Sequence, residues 1–331
     1  DEHRQRRASE RFAVPTEKIG SMVLDSSFGQ LCALASALSF AFASIAISSN
    51  KRRGLSNDGA FLSVIMTVLF SFALFLVFED GDLPSLDDPK LLEGILWFCM
   101  AGLFAMVFGR TLVFRSIGLL GVTRGTTVKK LNPFFSILLA VIILGESLIW
   151  EETIGVFALA LAIFLLISDK TRKYEHETTN TPKDWIVVAP LYLPGILSCL
   201  AYAVSYIARK NGLITLGTPA FGTFVSAMAG VCFYLILAVP SESYRRFVVE
   251  GVKNITPITL AIGASMSIGQ VLFFTALTYE ELSTVVMIGS LETFIAMFLS
   301  VVIFRLEIRP SMKQLGAAVL ASTGVSLVTF Y

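Results

Sequence analysis

The stretch 125–146 reads GTTVKKLNPFFSILLAVIILGE and combines an apolar run with two lysines. Its apolar part, 131–144, is interrupted only by Asn132 and Ser136 and is about 21 Å long as a helix, whereas the hydrocarbon layer of a bilayer is about 30 Å thick. The residues before position 131 are therefore expected to enter the bilayer, which draws Lys129 and Lys130 toward apolar depth. An ionisable group at that depth is costly and is by default a candidate functional residue.

The composition of the whole chain supports a membrane setting. The 331 residues are 55% hydrophobic and 15% charged, and the mean hydropathy is +0.74. These values lie outside the range of soluble globular domains, so the chain is predicted to be an integral membrane protein. A net charge of +1 gives no indication of a nucleic-acid partner.

Residue types that would indicate an enzyme or a metal site are poorly placed. The four cysteines lie in apolar runs without paired spacing, and the two histidines, His3 and His176, lie in polar segments. There is no HExxH motif and no acidic or histidine constellation within an apolar run. We therefore predict no metal site, no cofactor and no catalytic residues, and a protein that is not an enzyme.

Hydropathy predicts an all-α integral membrane protein with ten transmembrane helices. The predicted helices are 28–48, 60–78, 94–114, 125–144, 153–168, 186–208, 218–239, 257–277, 283–304 and 314–331. A polar N-terminal tail, 1–27, precedes them. A polar linker, 169–185, divides them five and five.

The two halves carry an internal repeat. The segment 108–114, FGRTLVF, corresponds to 268–274, IGQVLFF, at an offset of 160 residues. Since five helices is an odd number, the second copy enters the membrane from the opposite side. The chain is thus predicted to form two inverted repeats, 28–168 and 186–331, with a binding site near the bilayer midplane at their interface.

The fourth helix of the first repeat carries a family resemblance. Asn132 and Pro133 open an apolar run that closes on Gly145 and Glu146, and the preceding helix ends in an aromatic-rich turn. Over 28–331 the chain resembles the drug/metabolite transporter superfamily, of the EamA-like kind with two five-helix repeats. The resemblance implies a ten-helix bundle that works by alternating access, with a central cavity lined by the third and fourth helices of each repeat.

The second repeat departs from the pattern of that family. It has Glu292 followed by Thr293 where the family often has Glu-Pro, and Phe304-Arg305-Leu306-Glu307 where it often has Leu-Gly-Glu. Glu146 and Glu307 end their helices beside polar loops, and at a helix C-terminus an acid gains nothing from the dipole. We interpret both as interfacial residues rather than substrate ligands.

Glu292 lies near the middle of the predicted ninth helix. A charge there costs at least about 2.5 to 3.5 kcal/mol, so the carboxylate must be protonated, paired or facing a wet cavity. It is therefore a candidate for proton coupling or for clamping a cationic group. The alternative is a fixed ion pair with Lys129, Lys130 or Arg110.

Lys129 and Lys130 are adjacent, so their side chains point about 100° apart on a helix. One is expected to face the cavity while the other extends toward the headgroups. The pair is similar to the basic pair in the ninth helix of triose-phosphate translocators, although here it lies in the first repeat. This resemblance implies binding of a carboxylate or a phosphate.

Further polar residues complete the candidate substrate site. Arg110 and its repeat mate Gln270 occupy apolar helices, and Arg110 faces inward if the third helix continues to position 114; otherwise it is interfacial. Tyr202 and Tyr206 share a face of the sixth helix, where they could stack on a substrate or simply pack. Asn132 is included through the motif named above.

These residues favour a secondary active transporter that moves a small polar, anionic metabolite by alternating access. Arg110, Lys129 and Lys130 outweigh Glu292, which leaves the candidate cavity net positive. The alternative is a proton-coupled exporter of cationic or amphipathic compounds, with Glu292 as the clamp. Partners are the metabolite, protons or a counter-substrate, and the lipid bilayer. The plasma (inner) membrane is the expected location, with an organelle membrane as the alternative.

Overall fold

The computed structural model describes residues 16–52, 59–79, 83–85, 87–109, 131–168, 185–253 and 255–302, and single positions at 112, 312, 316, 319, 320, 323 and 324. Within these ranges the secondary structure is helical and contains no strand. Arg110, Lys129, Lys130 and Glu307 lie outside the described residues.

Ten helices follow one another in the described part of the chain. In the first half they are α1 (Thr16–Arg52), α2 (Ala60–Phe78), α3 (Pro89–Gly102), α4 (Asn132–Leu139) and α5 (Trp150–Ser168). In the second half they are α6 (Trp185–Leu216), α7 (Pro219–Ala238), α8 (Glu242–Lys253), α9 (Pro257–Tyr279) and α10 (Leu282–Val302). Two π-helices, Leu103–Gly109 and Ala140–Leu144, extend α3 and α4.

Proline and capping residues set where several helices begin. Pro89, Pro219 and Pro257 occupy the first turns of α3, α7 and α9, where the missing N–H costs no intrahelical bond. Before α9, Thr256 accepts a hydrogen bond from the N–H of Thr259 and completes a capping box. These local signals explain why α7 and α9 begin close to the predicted positions.

Five helices among the described residues are long and apolar enough to cross a bilayer. The corresponding segments are Asp25–Ile47, Ala60–Phe78, Pro89–Gly109, Pro219–Ala238 and Pro257–Tyr279. Shorter apolar helices cover Asn132–Leu144, Thr153–Ala162 and Leu282–Ala296. The predicted helix 314–331 and the predicted start of the fourth helix at 125 fall outside the described helices.

Two helices differ from the sequence prediction. α6 continues to Leu216 rather than ending at 208, because Arg209 and Gly212 pack against neighbouring helices instead of forming a polar loop. The short helix α8 was not predicted, since its ESYRRFVVEGVK sequence is too polar for a hydropathy scan. It packs on the start of α2, where the rings of Phe61 and Phe247 are 6.0 Å apart.

Contacts between helix ends place several turns on one face of the bundle. Near the start of the apolar segment of α1, Asp25–Ile47, Ser26 Oγ donates to Oε1 of Glu280, which directly follows α9, at 2.6 Å. Near the end of α6, Lys210 Nζ donates to the carbonyl of Leu277 on α9 at 2.7 Å. Carboxylates that follow α2 and α4 bind the starts of α7 and α10. The turns that follow α2, α4, α6 and α9 therefore lie on one face, which we call the short-turn face.

Small residues let α3 approach two other helices. A Cβ added to Gly102 would overlap the backbone oxygen of Ser226, which shows that α3 and α7 are in backbone contact. The ring of Phe98, fully buried, lies between Gly212 of α6 and Gly222 of α7. The largest buried core forms around this ring, where α3, α6, α9 and α10 meet.

Candidate functional site

Arg209 is a buried cation near the middle of the bundle. It is 3% exposed and lies on α6, one residue beyond the predicted end of that helix at 208. Its Nη1 donates to Oε1 of Gln270 on α9 at 3.0 Å. The guanidinium carbon lies 4.8 Å from the ring centroid of Phe274, 5.4 Å from that of Tyr206 and 5.5 Å from that of Phe273. Aromatic faces attract a cation at these distances.

The guanidinium of Arg209 retains an unused donor. Its Nε is buried and has no hydrogen-bond partner in the structure. No ion pair joins Arg209 to a carboxylate among the described residues. Because burying a charge is costly unless it is paired, Arg209 is a candidate for binding an anion.

Asn132 and Tyr206 extend the polar contacts to the first half of the chain. Asn132 Nδ2 donates to the hydroxyl of Tyr206 at 3.3 Å, and Ser136 Oγ donates to the carbonyl of Asn132 at 2.9 Å. A continuous set of contacts thus runs from Asn132 on α4 through Tyr206 and Arg209 on α6 to Gln270 on α9. We call these four residues the Arg209 cluster.

Gln270 lies near the middle of α9. Gln270 precedes the end of α9 at Tyr279 by nine residues. That distance is about 14 Å along a helix, close to half of a ~30 Å hydrocarbon layer. Glu292 follows the start of α10 at Leu282 by ten residues, or about 15 Å along that helix.

The carboxylate of Glu292 is bonded to α1 rather than to the Arg209 cluster. Ser44 Oγ donates to Glu292 Oε1 at 3.0 Å. Ser36, which bonds the carbonyl next to Gln270, lies two helical turns before Ser44, or about 12 Å along α1. Glu292 therefore lies apart from Arg209, at a different position along α1.

Tyr202 lies one turn before Tyr206 and packs at the end of the α3 extension. A Cβ added to Gly109 would lie 3.0 Å from Cε2 and Cζ of Tyr202, and Ser198 Oγ donates to the carbonyl of Gly109 at 2.9 Å. The π-helix that ends at Gly109 is followed in the sequence by Arg110. π-Bulges are frequent at functional sites. The positions of Arg110, Lys129 and Lys130 relative to this segment stay predictions.

Sequence reasoning missed Arg209 because it ended the sixth helix at 208. The run Arg209-Lys210-Asn211-Gly212 resembles a polar stop, yet Tyr202, Tyr206 and Arg209 follow a helical spacing that would have placed them on one stripe. The signal that could have located Arg209 was the continuation of this aromatic stripe by one more helical turn.

The expectation that Glu146 gains nothing from a helix dipole was wrong, because the dipole belongs to another helix. Its Oε1 accepts the N–H of Leu282 at 2.7 Å and its Oε2 accepts the N–H of Ser283 at 3.0 Å, at the start of α10. The positive end of α10 therefore stabilises this carboxylate.

Metal chemistry has no visible support in the described ranges. No group of three or more His, Cys, Asp or Glu side chains there could hold a metal ion. The side chains of the Arg209 cluster are an arginine, two amides and a tyrosine, with further aromatic rings around them. These side chains supply hydrogen-bonding groups and one positive charge, and none of them is a nucleophile paired with a base.

The long apolar helices indicate a multi-pass membrane protein. The model of the EamA-like transporter family matches residues 27–168 and again 189–330, so the chain belongs to that family and contains two copies of its domain. Members of the family are transporters, and the chain is accordingly a membrane transporter in class rather than an enzyme.

Comparison with solved structures supports the fold. A crystal structure described only as that of a protein shares 15% sequence identity and superposes with a TM-score of 0.54, covering 94% of this chain and 97% of the other. At that identity the likeness concerns the fold alone. No curated protein matches the sequence of this chain.

Proposed function

We propose that the protein is a secondary active transporter of a small anionic metabolite and that Arg209 binds the anionic group. The observation that carries the proposal is a guanidinium that is 3% exposed, donates to an amide oxygen and keeps its Nε unpartnered. A carboxylate or phosphate oxygen would satisfy this donor and neutralise the charge.

The Arg209 cluster joins the two repeats, which supports alternating access. Asn132 belongs to the first repeat, 28–168, whereas Tyr206, Arg209 and Gln270 belong to the second, 186–331. Rocking one repeat against the other would change the contact between Asn132 and Tyr206, which is 3.3 Å long in this structure. Substrate held by Arg209 would thereby be exposed to one side and then the other.

Lys129, Lys130 and Arg110 remain part of the proposal through the sequence. If they line the path, as the sequence predicts, their positive charge would attract the anion toward Arg209. Tyr202 would line the same path beside the end of the α3 extension. Glu292, held by Ser44, is proposed as the coupling residue that exchanges a proton while the repeats move.

A second candidate is an exporter of cationic or amphipathic compounds. It is favoured by Glu292, which lies near the middle of α10 and whose carboxylate has no described cation within ion-pair distance. In that case Glu292 would bind the cation or a proton, and the lysines would lie at the membrane surface.

Uptake into proteoliposomes separates the two candidates. Succinate and glucose 6-phosphate serve as anionic probes and choline as the cationic probe. We expect saturable uptake of at least one anion, lost in Lys129→Ala, Lys130→Ala and Glu292→Gln variants that remain folded. Choline uptake without anion uptake would favour the exporter, and wild-type anion uptake by all three variants would refute the assignment of these residues.

The membrane in which the protein works is also a proposal. A multi-pass membrane protein follows from the family and the apolar helices. We place it in the plasma (inner) membrane, with an organelle membrane as the alternative. Fractionation of cells that express a tagged chain distinguishes these locations.

A further inference from the structure

Two carboxylates of the first repeat bind the N-termini of helices in the second. Glu79 directly follows α2 and is 9% exposed. Its Oε1 accepts a hydrogen bond from the N–H of Ala220 at 2.7 Å, and its Oε2 accepts one from the N–H of Phe221 at 2.9 Å. These N–H groups belong to the start of α7. Glu146, which follows the α4 extension, accepts the N–H groups of the first two residues of α10 in the same bidentate way.

The chemistry of these contacts makes them strong. The first N–H groups of a helix have no intrahelical acceptor, and together they form the positive end of the helix dipole. A carboxylate that accepts two of them makes charge-assisted hydrogen bonds in a partly buried setting. Each helix end therefore stabilises the negative charge of the carboxylate that binds it.

Both contacts lie on the short-turn face, and further bonds reinforce one of them. Lys210 Nζ donates to the carbonyl of Leu277 at 2.7 Å and also to that of Glu280, at the end of α9. Ser26 Oγ of α1 donates to the carboxylate of Glu280 at 2.6 Å. The turn between α9 and α10 is therefore held from three sides by α1, α6 and the end of the α4 extension.

An opening on this face has to break these bonds. Glu79 and Glu146 belong to the first repeat, whereas α7 and α10 belong to the second. In a transporter built from inverted repeats, access alternates by movement of one repeat or bundle against the other. Separation of the repeats on the short-turn face would pull each carboxylate away from the N–H groups that it binds.

We propose that Glu79 and Glu146 are paired latches that keep the short-turn face closed and that both release when the site opens to this side. The inference rests on the transport function proposed above, but its test needs no substrate. Failure of anion uptake and failure of the latches are thus read in separate experiments.

A buried serine offers a reporter of latch opening. Ser283 is 2% exposed and its Oγ has no hydrogen-bond partner, so Ser283→Cys is close to isosteric and removes no bond. The substitution is made in a background in which the native cysteines are serine. A bulky, charged maleimide is then added to the protein in nanodiscs, where both faces are accessible, and the labelling rate is measured.

The two latches are tested separately by Glu146→Gln and Glu79→Gln. We expect the maleimide to label Ser283→Cys protein at least tenfold faster when it also carries Glu146→Gln or Glu79→Gln than when it carries neither. A tenfold increase corresponds to about 1.4 kcal/mol in favour of the open state. Acceleration by Glu79→Gln is the decisive result, because Glu79 binds α7 and not the start of α10. The matched control is Glu93→Gln, an exposed glutamate on α3 whose side chain accepts from Trp97 Nε1 at 3.4 Å; its rate should equal that of the parent.

Two results would overturn the proposal. The first is a labelling rate in both folded latch variants equal to that of Glu93→Gln. The second is acceleration by Glu146→Gln alone, which would indicate local fraying of α10 instead of opening of the face. If a glutamine variant is not monodisperse, the aspartate variant at the same position, which keeps the charge on a shorter side chain, is labelled and judged by the same criteria.

Discussion

Replacement of Arg209 by methionine should separate ligand binding from protein stability. Methionine preserves an unbranched apolar side chain but removes the charge and every donor. Since truncation of one member of a buried, hydrogen-bonded charge pair costs about 2 to 5 kcal/mol, anion affinity should fall by roughly 30-fold to several thousandfold.

Stability should respond differently from affinity. Arg209→Met leaves Oε1 of Gln270 without its donor, which costs about 1 kcal/mol, and removes cation–π contacts of about 0.5 to 2 kcal/mol. Against these losses, it removes the penalty for burying an unpaired charge; replacing buried charges by apolar residues is often neutral or stabilising by about 1 to 4 kcal/mol. We therefore expect an unchanged or higher melting temperature in the absence of ligand.

The assay compares thermal melting with and without ligand, because a ligand that binds the native state raises its apparent stability. Wild-type protein should be stabilised by the transported anion, and Arg209→Met should show no ligand-dependent shift. Arg209→Lys, which keeps the charge but loses the planar fork, should give an intermediate shift. A large loss of stability in Arg209→Met with unchanged anion uptake would refute the binding role and leave Arg209 as a structural residue.

Two further predictions concern packing and the contact of Glu292. Gly212→Ala would bring a Cβ into overlap with the ring of Phe98 and should destabilise the protein by about 1 to 3 kcal/mol. Gly289→Ala, whose Cβ would have no atom of the described residues within 4 Å, should be neutral or stabilising. Thermal melts of the two variants test this, and equal effects would contradict it. Ser44→Ala should lower the free energy of unfolding by about 1.5 to 3 kcal/mol in the wild type, because it removes a hydrogen bond to a charged group. In a Glu292→Gln background the loss should be smaller, since that hydrogen bond is then no longer to a charge. A double-mutant cycle with zero coupling would argue against the contact.

Much of the fold could be predicted because a bilayer imposes length and hydropathy on each helix. α2, α7 and α9 begin and end within two residues of the predicted bounds, since proline or polar turns flank an unbroken apolar run. The repeat and the family membership also followed from the sequence. α8 could not be found in this way, because it packs as an amphipathic helix and does not cross the hydrocarbon layer.

The site was harder to predict because a hydropathy scan ends a membrane helix at an arginine, even when the side chain is buried in the bundle. The contacts that make Arg209 tolerable come from Tyr206 on its own helix and from Gln270 and Phe274, which are more than 60 residues away in the chain. Asn132, Tyr206 and Gln270 were selected from the sequence, and the structure brings all three into the Arg209 cluster. What joins them is tertiary packing, which a single sequence without an alignment does not reveal.

The helix caps made by Glu79 and Glu146 also bear on how the chain assembles. Each carboxylate is synthesised before the helix that it caps, by 141 residues in one case and 136 in the other. When α7 and α10 enter the bilayer, the acceptors for their exposed N–H groups are already in place on the first repeat. The first repeat thus serves as a template for docking the second, and a chain without it would leave two helix N-termini without these acceptors.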